Sequence, residues 1–280
     1  MNIFVTFARY SKIFVAFFSL SGTYSHALET PWLIQPEVQF RIITKTNTMD
    51  VDGRYIAAME IIPANGWKTF WRSPGQSGAG IETDFSSSQN AAIGALLYPE
   101  PEVFEAQGFT TIGYKSTVLI PFPVTALDPL RPSRLRGTIY FQVCRTICLP
   151  LDAPVELTLT PGHGRPSKHF ARITHTMRRV PQRTVAPSQS IIWRDGQMIW
   201  LQLKGMSVHA DAMAILESPY GLAAPSSSVR ISEGTFGTRF GFNFGARATH
   251  LTGKTMMVSL FTEPARIEFP LVLLPGAAAE

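Results

Sequence analysis

The sequence predicts an all-β chain built from antiparallel sandwiches in two successive blocks. Three observations carry this. Apolar and polar residues alternate with period two, as in Val38-Gln39-Phe40-Arg41-Ile42 and Val155-Glu156-Leu157-Thr158-Leu159. No stretch keeps a clean helical period for twelve residues. Glycine and proline, 21 of each, punctuate the runs at short intervals. Many short strands separated by turn signals are the pattern of a sandwich.

Taken in order, residues 1–27 read as a secretory leader rather than as part of the fold. Arg9 and Lys12 precede the apolar run Ile13 to Leu20, small residues lie at Ser25 and Ala27, and no acid occurs before Glu29. The apolar run is too short to span a bilayer. The mature chain is therefore expected to begin near Leu28, in a periplasm-like compartment where disulfides persist. The first block, 28–164, holds strands at Val38 to Ile43, Tyr55 to Ile62 after an Asp52-Gly53 turn, Thr117 to Ile120 and Gly137 to Cys144. Pro161-Gly162-His163-Gly164-Arg165-Pro166 opens an expected linker, 165–184, with a short helix between Ser167 and Met177. The second block, 185–280, resumes with Ile191 to Arg194 and Gln197 to Leu203 about Asp195-Gly196, a strong hairpin signal. Ala212 to Glu217, Thr255 to Phe261 and Arg266 to Leu274 complete it.

Composition removes several functional classes. The chain of 280 residues has 45% hydrophobic and 16% charged residues, enough apolar content for a sizeable core. Its net charge is +5, part of which belongs to the leader, and no dense Lys/Arg stripe remains for nucleic acid. Two cysteines cannot make a disulfide-dense scaffold, a four-cysteine zinc site or an iron–sulfur cluster site.

Those two cysteines, Cys144 and Cys148, sit in Tyr140-Phe141-Gln142-Val143-Cys144-Arg145-Thr146-Ile147-Cys148-Leu149-Pro150. Strand parity puts Ile139, Phe141 and Val143 on one face and Tyr140, Gln142 and Cys144 on the other. If the next strand runs back antiparallel, the two sulfurs can meet across the turn. Four readings stay open on these residues. A structural staple closing so short a loop removes only about 2 kcal/mol of unfolded-chain entropy. A redox-active dithiol at a hairpin tip would be accessible to another thiolate, with Arg145 near enough to favour its charged form. A soft-metal site would need further ligands that are not close in sequence. Two unrelated free thiols would be unusual in an oxidising compartment.

Three stretches resemble a known family, the N-terminal periplasmic domain of the thiol:disulfide interchange protein DsbD and the related ScsB-type domains. They are Gly66-Trp67-Lys68-Thr69-Phe70-Trp71-Arg72-Ser73-Pro74-Gly75-Gln76-Ser77-Gly78, the segment Phe104 to Phe109 leading to Ile112-Gly113-Tyr114-Lys115 and Leu119-Ile120-Pro121, and the cysteine hairpin itself. The resemblance implies an immunoglobulin-like sandwich that passes reducing equivalents to periplasmic thioredoxin-fold partners. It implies that Cys148 engages the partner's disulfide and that Cys144 resolves the mixed disulfide. It also implies that an aromatic loop, here Phe104 to Phe109, caps the pair, with Phe104 or Phe109 as the cap and Glu105, Tyr114 and Tyr140 in support. The three-residue spacing between the cysteines is like that of the ScsB-type relatives. No membrane-spanning part follows, so electrons are expected from a separate membrane-embedded donor. No cofactor is implied, and the chain is at most a component of a protein-disulfide reductase.

Weaker candidates stand beside this one. Gly75-Gln76-Ser77-Gly78-Ala79 lacks the last glycine of a hydrolase elbow and reads as a turn. His163, His169 and His175 recur every six residues but lie in a linker-like segment. Met198, Met206, Met213, Met256 and Met257 fall in strand patterns, where core filling is favoured over copper binding. Trp67, Phe70 and Trp71 are either core or a partner-facing patch. The alternative function is a non-catalytic periplasmic binding module with a structural disulfide, of a kind that could handle copper.

Overall fold

The computed structural model describes residues 28–276 apart from Gln107, Gly205, Ser207, Ala210 and 232–236. The leader expected over 1–27 lies outside the described residues. The first block contains β1 (Leu33–Gln35), β2 (Val38–Thr44), β3 (Arg54–Pro63), β4 (Thr69–Gly75), β5 (Glu82–Asp84), β6 (Ala92–Ile93), β7 (Glu102–Ala106), β8 (Phe109–Tyr114), β9 (Val118–Thr125), β10 (Ser133–Cys144) and β11 (Cys148–Leu159). Strands β1-β2-β3-β9-β6 form one sheet. Opposite it lie two three-stranded sheets, β11-β10-β5 and β4-β8-β7.

The alternation read from the sequence is what makes this a sandwich. Val38, Phe40 and Ile42 on β2 are buried, as are Ile139, Phe141 and Val143 on β10 and Val155, Leu157 and Leu159 on β11. Their inward faces meet in one core, with the Phe40 and Phe141 rings 5.3 Å apart. Such facing apolar strands are the main stabilising feature of two stacked sheets.

Ile43 falls on the face expected to be polar, yet it is fully buried. The helix α1 (Phe170–Met177) accounts for it, because Ile173 packs with Ile43, Ala58 and Leu119 on the outer side of the first sheet. A ring of charge locks the helix there. Glu60 on β3 accepts from Arg41 at 2.7 Å and also pairs with Arg172 of the helix. Glu29 accepts from Arg41 and Lys168, and bonds His169 at 2.6 Å. The Gly/Pro-rich segment expected to be a linker is itself fastened to the first block. Asn47 N–H donates to the Arg165 carbonyl and Gly164 N–H to the Met49 carbonyl, both at 2.9 Å.

The second block comprises β12 (Gln182–Arg183), β13 (Ile191–Asp195), β14 (Met198–Leu203), β15 (Met213–Glu217), β16 (Ala223–Ile231), β17 (Thr238–Asn243), the 3₁₀ helix Gly245–Leu251, β18 (Thr255–Phe261) and β19 (Arg266–Pro275). Its strands run in the order β12-β19-β13-β14-β17-β16-β15-β18, and β18 also pairs with β19. The sheet therefore closes on itself around a core that includes Phe240, Phe242 and Phe269. The expected hairpin is present, with Asp195 opposite Met198 and Gly196 at φ +58° in its turn. Two pairings depart from an all-antiparallel block, and both involve β19, which also runs parallel to the short β12. β19 runs parallel to β13, because its far end must reach the first strand to close the ring while its near end stays antiparallel to β18.

The two blocks meet at β4. Phe261, Ile215 and Ala223 join the first core, and Trp71 packs edge-on to Phe261 at 6.5 Å. Beside them Arg72 bonds Glu217 and Glu268 at 2.6 and 2.8 Å, and Ser73 donates to Glu217 at 2.7 Å. Burial lowers the tendency of Arg72 to stay charged, but the two carboxylates more than reverse this, so its charge is firmly held.

Candidate functional site: a disulfide hairpin beside a cationic cleft

β10 and β11 form a twelve-rung hairpin whose last rung pairs Cys144 with Cys148. The two cysteines are joined in a disulfide, and no other cysteine exists in the chain. The staple and dithiol readings both require this bond. The two members differ sharply in access. Cys144 is 3% exposed, whereas Cys148 is exposed. Strand parity placed Cys144 off the apolar face correctly, but that face is covered too.

The cover is the chain entering β4. Lys68 N–H donates to the Cys144 carbonyl at 3.0 Å, and Cys144 N–H donates to the Lys68 carbonyl at 2.9 Å. Thr69 Oγ1 donates to the Gln142 carbonyl at 3.0 Å. Ahead of Lys68 a tight turn closes with Trp67 N–H donating to the Ala64 carbonyl, and Gly66 sits in it at φ +79°. A side chain at Gly66 would come within 3.3 Å of Arg145. Gly66 thus serves both the left-handed turn and the close approach of the hairpin tip. Arg145 folds back so that its guanidinium lies 5.6 Å from the Trp67 ring centre. At the tip Ile147 is 65% exposed, an apolar residue directly before the accessible Cys148.

Next to the hairpin is a cavity of about 440 Å³, lined among others by Trp67, Lys68, Phe104, Glu105, Lys115 and Arg145. Phe104 is its buried floor, with the Lys68 and Lys115 ammonium groups 4.7 and 4.5 Å from its ring centre. Such contacts suit the negative face of an aromatic ring. Burial, and then the neighbouring Lys115 charge, hold the Lys68 ammonium below its ordinary value of 10.5.

The expected supporting residues divide into two groups. Phe104 and Glu105 line the cleft, with Glu105 accepting from Thr110 Oγ1 at 2.5 Å. Phe109 is half exposed at the far end of the β7–β8 turn, and Tyr140 is 40% exposed on β10, four residues before Cys144 on the same face. Tyr114 is buried, and its hydroxyl donates to the Pro99 carbonyl at 2.8 Å. Burial, then the neighbouring Tyr98, push its phenol well above 10, so it acts as a neutral donor in the core. Of the aromatic trio, Phe70 and Trp71 are core and Trp67 is at the cleft. His169 is bonded to Glu29, whereas His163 and His175 line separate clefts. Met256 is fully buried in the second core. Among the described residues no group of three or more His, Cys, Asp or Glu gathers as a metal site. Sequence reasoning missed Lys68 and Lys115 as members of the site, although both lie within the stretches that resemble the family, because neither charge by itself points to the hairpin.

Comparison with known proteins agrees with this geometry. Residues 33–160 match the family model described as thiol:disulfide interchange protein DsbD, N-terminal. The crystal structure of the N-terminal periplasmic domain of ScsB from Proteus mirabilis has the same fold, with a TM-score of 0.68 at 20% identity over 89% of this chain and 99% of that one. The likeness therefore extends beyond the family-model segment into the second block. A chimeric titin Z1Z2 aligns over 86% of this chain and 98% of its own at 12% identity, but its TM-score of 0.21 is too low to bear on the fold. No curated protein matches the chain. The resemblance seen in the three sequence stretches is thus borne out, with residues 33–160 matching the DsbD N-terminal family model.

Proposed function

We propose that this chain is a periplasmic thiol–disulfide exchange protein that works through Cys144 and Cys148. The single observation that carries the reading is the unequal burial of a bonded pair on one rung of a family hairpin. In the reduced protein the exposed Cys148 thiolate attacks one sulfur of a partner's disulfide, and the partner's other sulfur leaves as a thiolate. Cys144 then attacks Cys148, the partner's second thiolate leaves, and the hairpin disulfide re-forms. Two electrons pass to the partner, and solvent supplies its two protons. The partners are thioredoxin-fold proteins of the periplasm, and a separate membrane-embedded donor restores the dithiol.

Phe104 shields the pair from the cleft side, with Glu105 holding the β7–β8 turn through Thr110. Phe109, Tyr114 and Tyr140 support the hairpin's surroundings. Residues 28–164 form the redox domain, 165–184 the connection, and 185–280 a second domain that steadies β4 and offers a surface to partner or donor. Among the described residues no helix is long and apolar enough to cross a membrane.

Trapping tests the reading. The Cys144→Ser protein, exposed to oxidised thioredoxin-fold proteins after reduction, is expected to accumulate a mixed disulfide through Cys148. The reading fails if no adduct accumulates and the reduced wild type leaves every such partner oxidised. A structural disulfide in a binding module would give that result.

A further inference from the structure

We propose that the cleft beside the hairpin receives carboxylates that flank a partner protein's disulfide, so that the site selects acidic partners. This rests on the exchange reading above. Lys68, Lys115 and Arg145 converge there from three separate segments. Among the described residues none of them is ion-paired to a carboxylate, whereas Arg41, Arg72, Arg134, Arg172 and Arg266 all are. Among the described residues the only acid lining the cleft is Glu105, which is bonded to Thr110. The two ammonium groups share one ring and repel each other, and burial first, then the Lys115 charge, lowers the proton affinity of Lys68. An arriving carboxylate offsets the repulsion and meets a Lys68 ammonium that is already largely desolvated.

The placement suits a protein segment rather than a free ion. Lys68 is bonded through its backbone to Cys144, and Arg145 follows Cys144 directly. An anion bound between them therefore lies within a few residues of the sulfur being exchanged. The Phe104 floor, the Trp67 ring and exposed Ile147 supply apolar contact for the rest of such a segment.

The probes are two cyclic peptide disulfides, alike except that Glu or Lys flanks each cysteine. The rate at which each is reduced by the fully reduced protein is divided by its rate with dithiothreitol, a small thiolate reductant with no cationic groups beside its sulfur. This removes the effect of the flanking charge on the leaving thiol. The acidic peptide is expected to react about tenfold faster on this scale, in the range of electrostatic steering. The ratio should fall toward one in Lys115→Gln/Arg145→Gln, and also for the wild type in about 0.5 M salt, where screening acts within a few ångströms. A ratio near one in the wild type at low salt overturns the proposal, as does a ratio that neither salt nor substitution changes. If neither peptide is reduced at all, the exchange reading fails and this inference with it.

Discussion

Unequal access to the two sulfurs makes a quantitative prediction. In the reduced protein Cys148 is exposed, while Cys144 reacts only when the end of β10 separates from Lys68. That opening breaks two backbone hydrogen bonds, of 3.0 and 2.9 Å. At about 1 kcal/mol net each the cost is about 2 kcal/mol, or about thirtyfold in the open population. Cys148 should therefore be alkylated about thirtyfold faster than Cys144 under a short iodoacetamide pulse, read by mass spectrometry of the two cysteine-containing peptides. The two cysteines are separable by cleavage at Arg145, which lies between them. Equal rates, or faster reaction at Cys144, would refute the assignment of Cys148 as the attacking thiol.

Two further predictions concern the frame that holds the hairpin. Arg72→Ala strips the buried Glu217 and the half-buried Glu268 of their partner, and should cost about 3 kcal/mol in urea denaturation. Adding Glu217→Gln should recover part of that loss; no recovery would mean that the cost comes from packing on Trp71 instead. The helix clamp should titrate. Burial alone would raise Glu60, but hydrogen bonds and charge from Arg172 and Arg41 hold its carboxyl below 4.5. A depressed folded value means that the stabilisation is complete above about pH 4.5 and is lost as pH falls toward the folded value. Denaturation midpoints taken from pH 6 to pH 3 should drop less steeply in Glu60→Gln than in the wild type.

How much of this was legible in the sequence follows from which interactions are local. The alternation of β2, β10 and β11 survives into the structure because period two decides which side chains face the core. Ile43 shows the limit, since its burial depends on a helix 130 residues later in the chain. The first half of β16 carries no signal. Ala-Ala-Pro-Ser-Ser-Ser has neither alternation nor β-branched residues, and it is extended because it pairs with β15 and β17. The Gly/Pro segment after Leu159 reads as a linker by composition, but composition does not reveal that Asn47 N–H donates to the Arg165 carbonyl or Gly164 N–H to the Met49 carbonyl. At the site, the cysteine hairpin was visible as a four-residue spacing within a family pattern. The cleft was not, because Lys68, Phe104, Lys115 and Arg145 are gathered from distant positions and each alone is an ordinary surface or core residue.

The most direct test of the account is the reduction potential of the Cys144–Cys148 disulfide, measured by equilibrating the purified protein with dithiothreitol or glutathione buffers and quantifying the two forms. A hairpin that exchanges electrons with thioredoxin-fold partners should lie between about −120 and −270 mV. A value below about −300 mV would mark a bond that such partners cannot use, and would make the pair a staple.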